Sequence, residues 1–258
     1  MFLIFREVPG AFPESFELAS DEYRHLRARR VRPGGAVHVG DGRGRRLAYR
    51  LADNGDLVQR SASRIEQGDE APVELFTAVP EGRRWDWLLQ KATELGATAI
   101  QPIQSEYSES RRLKREREER IIMEAAVQSR RFVLPELREA LPLPEALRAK
   151  AAPGETRDAG IAATKAESPA RSPMNSVPGR VVLDPRGDRS FADFLRAASD
   201  APTRLLQIFV GPEGGFSETE LTEFAQAGAV VCRLGATILR VETAALAGLA
   251  CVAAREDG

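Results

Sequence analysis

IFVGPEGGFSETE, residues 208–220, is the stretch on which the fold turns. Three apolar β-formers, Ile208, Phe209 and Val210, run into Gly-Pro-Glu-Gly-Gly, and Ser217 with Glu220 then makes the S-x-x-E pattern that opens a helix. A buried strand leading through a bare-backbone loop into a capped helix is the repeating unit of an α/β sheet. In such a sheet ligands sit beyond the carboxyl ends of the strands.

The same texture extends outward. Strands are expected at "VELFTAV" (73–79), "TAIQPI" (98–103), "RVVLDP" (180–185) and "AVVCRL" (229–234). Between them lie helical segments. "RRWDWLLQKATEL" places Trp85, Leu88, Leu89, Ala92 and Leu95 on one face before Gly96 stops it. A charged helix runs from about Leu113 through Gln128, its "KREREER" read as a solvated face with i,i+4 pairs. "FADFLRAA", a helix from Glu218 to about Ala227 and a buried C-terminal helix around "AALAGLACVAA" complete the set. Strands alternating with helices predict a parallel sheet covered on both faces. The Ala-, Pro-, Ser- and Gly-rich segment 141–179 reads as a flexible insertion.

Residues 1–70 differ. Short strands "FLIF", "AVHVG", "RLAYRLA" and "LVQRSASRI" are separated by Asp41-Gly42 and Asn54-Gly55, both hairpin signals, so a small β-barrel is expected. "SDEYRHLRARR" between the first two has helix-start character, with Ser20 as the cap. Two domains follow: 1–70 a β-barrel and 71–258 an α/β domain.

Charge is polarised along the chain although the net value is −1. Arg24, Arg27, Arg29, Arg30, Arg32, Arg43, Arg45, Arg46 and Arg50 face a single acid in their segment, Asp41, whereas acids outnumber bases after Val181. An arginine-rich barrel beside a more acidic domain fits a nucleic-acid-facing module, although the chain's 33 arginines against four lysines also fit general solvation of its surface. With 43% hydrophobic and 29% charged residues the chain has the composition of a soluble protein. No apolar run reaches bilayer length and the N-terminus lacks a secretion signal, so no membrane partner and a cytoplasmic location are expected. Cys232 and Cys251, without a CxxC pair or a histidine cluster, are read as buried small hydrophobes, and no metal is expected.

Three loops should meet at one sheet edge: "LDPRG" after Leu183, "GPEGG" after Val210 and "LGATILRVETA" after Cys232. The glycines permit close backbone approach to a ligand, or simply a tight strand-to-helix turn. Neither a Walker loop nor a GxGxxG fingerprint is present. Arg240 and Glu242 can hold a ligand or stabilise charge at a pocket lip, or form a surface ion pair and cap.

"KATELGATAIQPIQSEYS" (91–108), "EAAVQSRR" (124–131), "VGPEGGFSETE" (210–220) and "LGATILRVETAALAGL" (234–249) together resemble the ribosomal small subunit methyltransferase E family of the SPOUT superfamily. The resemblance implies methylation of N3 of one uridine of 16S ribosomal RNA, at rRNA position 1498, from S-adenosylmethionine. It implies a PUA-like RNA-binding barrel, an α/β domain with a C-terminal trefoil knot, and a homodimer acting on the small ribosomal subunit. Carried onto this sequence, the cofactor pocket would comprise Leu183, Asp184, Gly211, Pro212, Glu213, Gly214, Gly215, Leu234, Gly235, Ile238, Leu239, Arg240, Thr243 and Ala244. RNA contacts would fall on Arg24, His25, Arg27, Arg29, Arg30, Arg32, Arg43, Arg45 and Arg46. The catalytic candidates are Arg240 for developing negative charge and Glu213 or Glu242 for the proton. Thr237 and Tyr107 stand where the family usually carries arginine. The competing readings are a SPOUT methyltransferase for another RNA or a ribose hydroxyl, and a non-catalytic RNA-binding or ribosome-assembly protein.

Overall fold

The computed structural model describes residues 2–54, 57–62, 65–67, 72–109, 111–148, 179–197 and 205–256. The first sheet is built from β1 (Phe2–Phe5), β2 (Ser15–Glu17), β3 (Ala36–Gly40), β4 (Arg45–Leu51), β5 (Leu57–Arg60) and β6 (Glu66–Gln67), with α1 (Ser20–Ala28) between β2 and β3. Its order is β1-β3-β4-β5-β2, with β6 beside β4. The β3–β4 and β4–β5 pairs are antiparallel, and β1 runs parallel to β3. Alternate residues Val37, Val39, Leu47, Tyr49 and Val58 form one core, to which α1 adds Leu26. Among the described residues β1 and β2 end the order unpaired with each other, so the sheet is a half-barrel. Helix α1 already includes Ser20. The cap position is Ala19, whose N–H donates to Glu22 Oε2 at 2.8 Å, so a carboxylate one turn in replaces the expected serine.

The second sheet contains β7 (Val73–Thr77), β8 (Ala99–Gln104), β9 (Glu136–Leu137), β10 (Leu141–Pro142), β11 (Gly179–Leu183), β12 (Arg189–Ser190), β13 (Leu206–Val210) and β14 (Val230–Arg233). Its order is β10-β8-β7-β13-β11-β14-β12, with β9 beside β8, and every pairing is parallel. The helices are α2 (Arg83–Glu94), α3 (Arg115–Ser129), α4 (Leu143–Arg148), α5 (Phe191–Ala197), α6 (Glu218–Gln226) and α7 (Val241–Glu256). One face buries Leu75, Val181 and Ile208 with Leu88, Leu89, Ala245 and Leu249 from α2 and α7. The other buries Phe76, Val182 and Phe209 with Phe224 of α6 and Leu143 and Ala146 of α4. Strands apolar on both faces are what such coverage requires.

Several details depart from the sequence expectations. Residues 141–148 are not part of a loop: Leu143, Ala146 and Leu147 are buried at helical spacing in α4. Residues 149–178 of the expected insertion lie outside the described residues. Helix α7 is buried on one side only, because Ala250, Cys251 and Ala254 face outward; Cys232 is buried but Cys251 is exposed. In α3 the pair Arg115–Glu119 lies on the solvated face at 2.6 Å. Glu118, in the same run, is instead buried and accepts from Trp85 Nε1 at 3.0 Å and Lys114 N at 3.0 Å.

The half-barrel is tied to the second sheet through its β3–β4 turn. Leu134 N donates to Gly42 O at 2.8 Å, Gly44 N donates to Phe132 O at 3.1 Å, and the Arg46 guanidinium lies 4.0 Å from the centre of the Phe132 ring.

Candidate functional site

Because β11, β13 and β14 are adjacent and parallel, their carboxyl ends share one edge. The three loops leaving them enclose a cavity of about 300 Å³. Its lining is Leu183, Asp184, Pro185 and Arg186 from the first loop and Val210 to Gly215 from the second. The third loop and the start of α7 add Leu234, Gly235, Thr237, Ile238, Leu239, Val241 and Ala244. Apolar side chains and bare glycine backbone form most of this wall, with few polar groups to orient a ligand.

The second loop is held open by its own geometry. Gly215 has φ +74°, a left-handed conformation in which a side chain is strained, and its N–H closes a turn onto Pro212 O at 2.8 Å. Ser217 and Glu220 then form the expected capping box: Glu220 N donates to Ser217 Oγ at 3.3 Å and Ser217 N to Glu220 Oε2 at 2.9 Å.

Asp184 is 4% exposed and grips Arg186 through two side-chain hydrogen bonds, Nε to Oδ1 at 2.9 Å and Nη2 to Oδ2 at 2.8 Å. Arg186 also donates to Phe216 O at 2.7 Å and to Glu218 Oε1 at 2.9 Å. Burial by itself would raise the Asp184 pKa, but the hydrogen bonds and charge of Arg186 outweigh it and hold the carboxyl below its ordinary value. The same pairing raises Arg186. The cavity therefore has a fixed ion pair in one wall, locking the first loop to the second.

The sequence reading did not assign Pro185, Arg186, Val210, Thr237 or Val241 to the pocket. For Arg186 a signal existed: an Asp at a buried strand end with Arg two residues on, in a loop already singled out. Three of the assigned pocket or catalytic residues lie apart from the lining. Arg240 is exposed and its carbonyl accepts the Ala244 N–H at 2.8 Å, opening α7. Thr243 is exposed. Glu242 is 6% exposed, and among the described residues its Oε2 has no hydrogen-bond partner. Glu213 lies in the lining and meets Arg84 Nη1 at 3.7 Å.

The arginines assigned to RNA divide into two sets. Arg24, Arg27, Arg29, Arg30, Arg32 and Arg43 are exposed, as is His25. Arg45 is engaged with Asp41 at 2.7 Å and with Val8 O, while Arg46 pairs with Glu66 at 2.6 Å as well as stacking on Phe132.

The RNA methyltransferase domain model matches residues 68–253, the second sheet with its helices. Ribosomal RNA small subunit methyltransferase E of Mycobacterium bovis is 31% identical over 233 residues, covering 87% of this chain and 80% of that protein. The chain belongs to the ribosomal RNA small subunit methyltransferase E family. The Bacillus subtilis member is 31% identical over 191 residues, 71% of this chain and 66% of that one. A crystal structure of the Neisseria gonorrhoeae member bound to S-adenosyl methionine superposes with a TM-score of 0.76 at 27% identity, covering 99% of this chain and 98% of that one. The half-barrel followed by a parallel α/β sheet is thus an architecture shared with that member of the family.

Proposed function

We propose that this chain methylates N3 of a single uridine of 16S ribosomal RNA, in the small ribosomal subunit, with S-adenosylmethionine as donor. The observation that carries the reading is the glycine-walled cavity where the loops after β11, β13 and β14 converge, in a member of a family with a cofactor-bound structure. The cavity fits the donor chemically: Gly235, with open space where a side chain would stand, leaves backbone accessible to an adenine edge, and Leu183, Ile238 and Leu239 supply apolar contact, while the charge of Asp184 is balanced by Arg186. S-adenosylmethionine, when bound, supplies an electrophilic methyl group that needs no metal. Among the described residues no cluster suited to a metal ion is present.

Uracil N3 carries a proton in the neutral base, and its loss spreads negative charge onto the flanking carbonyl oxygens. A catalyst gains by holding a positive group near those oxygens and an acceptor near the proton. Arg240, exposed next to lining residue Leu239, is assigned the first role. For the second, Glu213 has the position, in the lining and exposed, while Glu242 has a buried oxygen without a partner among the described residues. Exposed arginines of α1 and the turn after it hold phosphates, and N3 is reached only in an unpaired or extruded uridine. The same reading carries the trefoil knot, the homodimer and a cytoplasmic workplace; sedimentation of the purified chain tests the dimer.

The deciding experiment incubates the protein with unmodified small subunits and labelled S-adenosylmethionine, then digests the RNA and seeks 3-methyluridine by mass spectrometry. A single modified site is expected. Methylation of another RNA or atom, or donor binding without turnover on this subunit, would redirect the substrate, and RNA binding with neither donor binding nor turnover would favour a non-catalytic role. Arg240→Ala is expected to lower turnover by roughly a hundredfold or more with cofactor affinity nearly unchanged. Retained turnover would remove Arg240 from the mechanism.

A further inference from the structure

Two of the large hydrophobic side chains exposed among the described residues stand at this cavity: Ile238, 84% exposed in its lining, and Tyr107, 52% exposed beside it. Tyr107 follows β8, and its side chain lies on the backbone of lining residue Gly214. A methyl group on Gly214 would sit 3.0 Å from Tyr107 Cβ and 3.3 Å from Cγ. The bare backbone at 214 is therefore what lets the aromatic side chain lie so close to the cavity wall.

The turn that carries Tyr107 is held from three directions. Ser108 N donates to Ser105 O at 3.0 Å, and Ser105 N donates to Ser108 Oγ at 3.0 Å. Glu106 N donates to Glu220 Oε1 at 2.8 Å, while the other oxygen of that carboxylate caps α6 through Ser217 N at 2.9 Å. One buried carboxylate thus joins the Tyr107 turn to the helix that the glycine loop enters. A half-exposed aromatic on a backbone fixed in this way loses little freedom when a flat ligand lands on it.

We propose that Tyr107 is the platform on which a base of the RNA substrate stacks when the target uridine is presented to the cavity. The inference rests on the RNA methyl-transfer reading above. A base taken out of its helix loses its neighbours, and an aromatic face restores the stacking in a way that every base accepts. The core of the sheet does not use the exposed part of Tyr107, and among the described residues the phenol has no hydrogen-bond partner that would account for its position. The ring, rather than the hydroxyl, is the functional part.

The test compares the wild type with Tyr107→Phe, Tyr107→Leu and Tyr107→Ala in two assays. The first is methylation of small subunits, read as KM for the subunit. The second is equilibrium binding of a labelled oligouridine in the presence of S-adenosylhomocysteine, which needs no turnover. Tyr107→Phe is expected to stay within about twofold of wild type, while Leu and Ala raise both KM and the oligouridine Kd by roughly tenfold or more. Cofactor affinity and melting temperature should be unchanged in all three. Equal RNA affinity across the four proteins would overturn the platform, whether or not the wild type methylates. A parallel loss of cofactor affinity or melting temperature would overturn it too, since that is the signature of a structural side chain. An inactive wild type whose oligouridine binding still follows the ring would sink the methyl-transfer reading and leave the platform standing.

Discussion

Asp184 shows how a single residue can be placed by sequence and given its role only by a neighbour. Its position at the end of β11 marks it as part of a ligand edge, but the two hydrogen bonds from Arg186 make it a lock between loops. Its folded pKa lies below the ordinary value, so the stability it contributes is present above about pH 3.9 and is lost as pH falls through the lower folded value. Asp184→Asn is therefore expected to be less stable at neutral pH and to show a flatter loss of stability below about pH 4, as denaturant titrations across that range would reveal. Arg131 is a second case. It is buried and donates to Thr93 O at 2.8 Å, Ala97 O at 2.6 Å and Gly96 O at 3.2 Å, closing the carbonyl end of α2. Arg131→Met keeps the bulk and leaves those carbonyls without their charged donor. A loss of about 3 kcal/mol in urea denaturation is expected.

At the scale of elements, the capping box of α6 was readable because its two residues are local in sequence, and both hydrogen bonds form. What the pattern did not reveal is that Glu220 spends its second oxygen on Glu106 N, 114 residues away in the chain. Ser217→Ala should therefore cost only about 1 kcal/mol of stability, the ordinary price of a lost cap, as read from thermal unfolding. Glu220→Ala should cost more and should also loosen the turn at Tyr107, seen as faster amide exchange at Glu106. Helix α4 was missed for the opposite reason. Its apolar residues Leu143, Ala146 and Leu147 have helical spacing, but six residues with Pro144 among them and Pro142 just before are too little signal beside the polar segment that follows. Burial against β8 and α6, in one cluster with Ile103 and Phe224, provides what propensity does not.

Across the whole molecule, the arginine-rich first segment serves two ends. Arg29, Arg30 and Arg32 are exposed, whereas Arg46 is engaged with Glu66 and with Phe132 at the joint between the sheets. Mutating Arg29, Arg30 and Arg32 together to Ala should weaken RNA binding and lower its log–log salt slope by roughly 2 to 3, with the melting temperature unchanged. Arg46→Ala should instead lower the melting temperature, since it removes the stacked cation from the joint. Sequence alone placed all nine arginines in one class because charge is visible there and partners are not.

The sequence by itself determined the periodicities, and with them the parallel sheet, the helices on both of its faces, the hairpins of the half-barrel and the three loops that end at one edge. Those features are local, set by side-chain spacing, turn glycines and caps within a dozen residues. Family membership was also legible, since the two glycine-bearing loops are contiguous motifs. Only the tertiary structure decided which side chains meet: Arg186 with Asp184, Glu220 with Glu106, Tyr107 with Gly214, Arg46 with Phe132. Except for the first, these pairs join residues far apart in the chain, and even Arg186 completes its lock on Phe216 O and Glu218 across two strands. Such contacts are fixed by the order in which strands pair, and strand order is a property of the packed sheet rather than of any one segment.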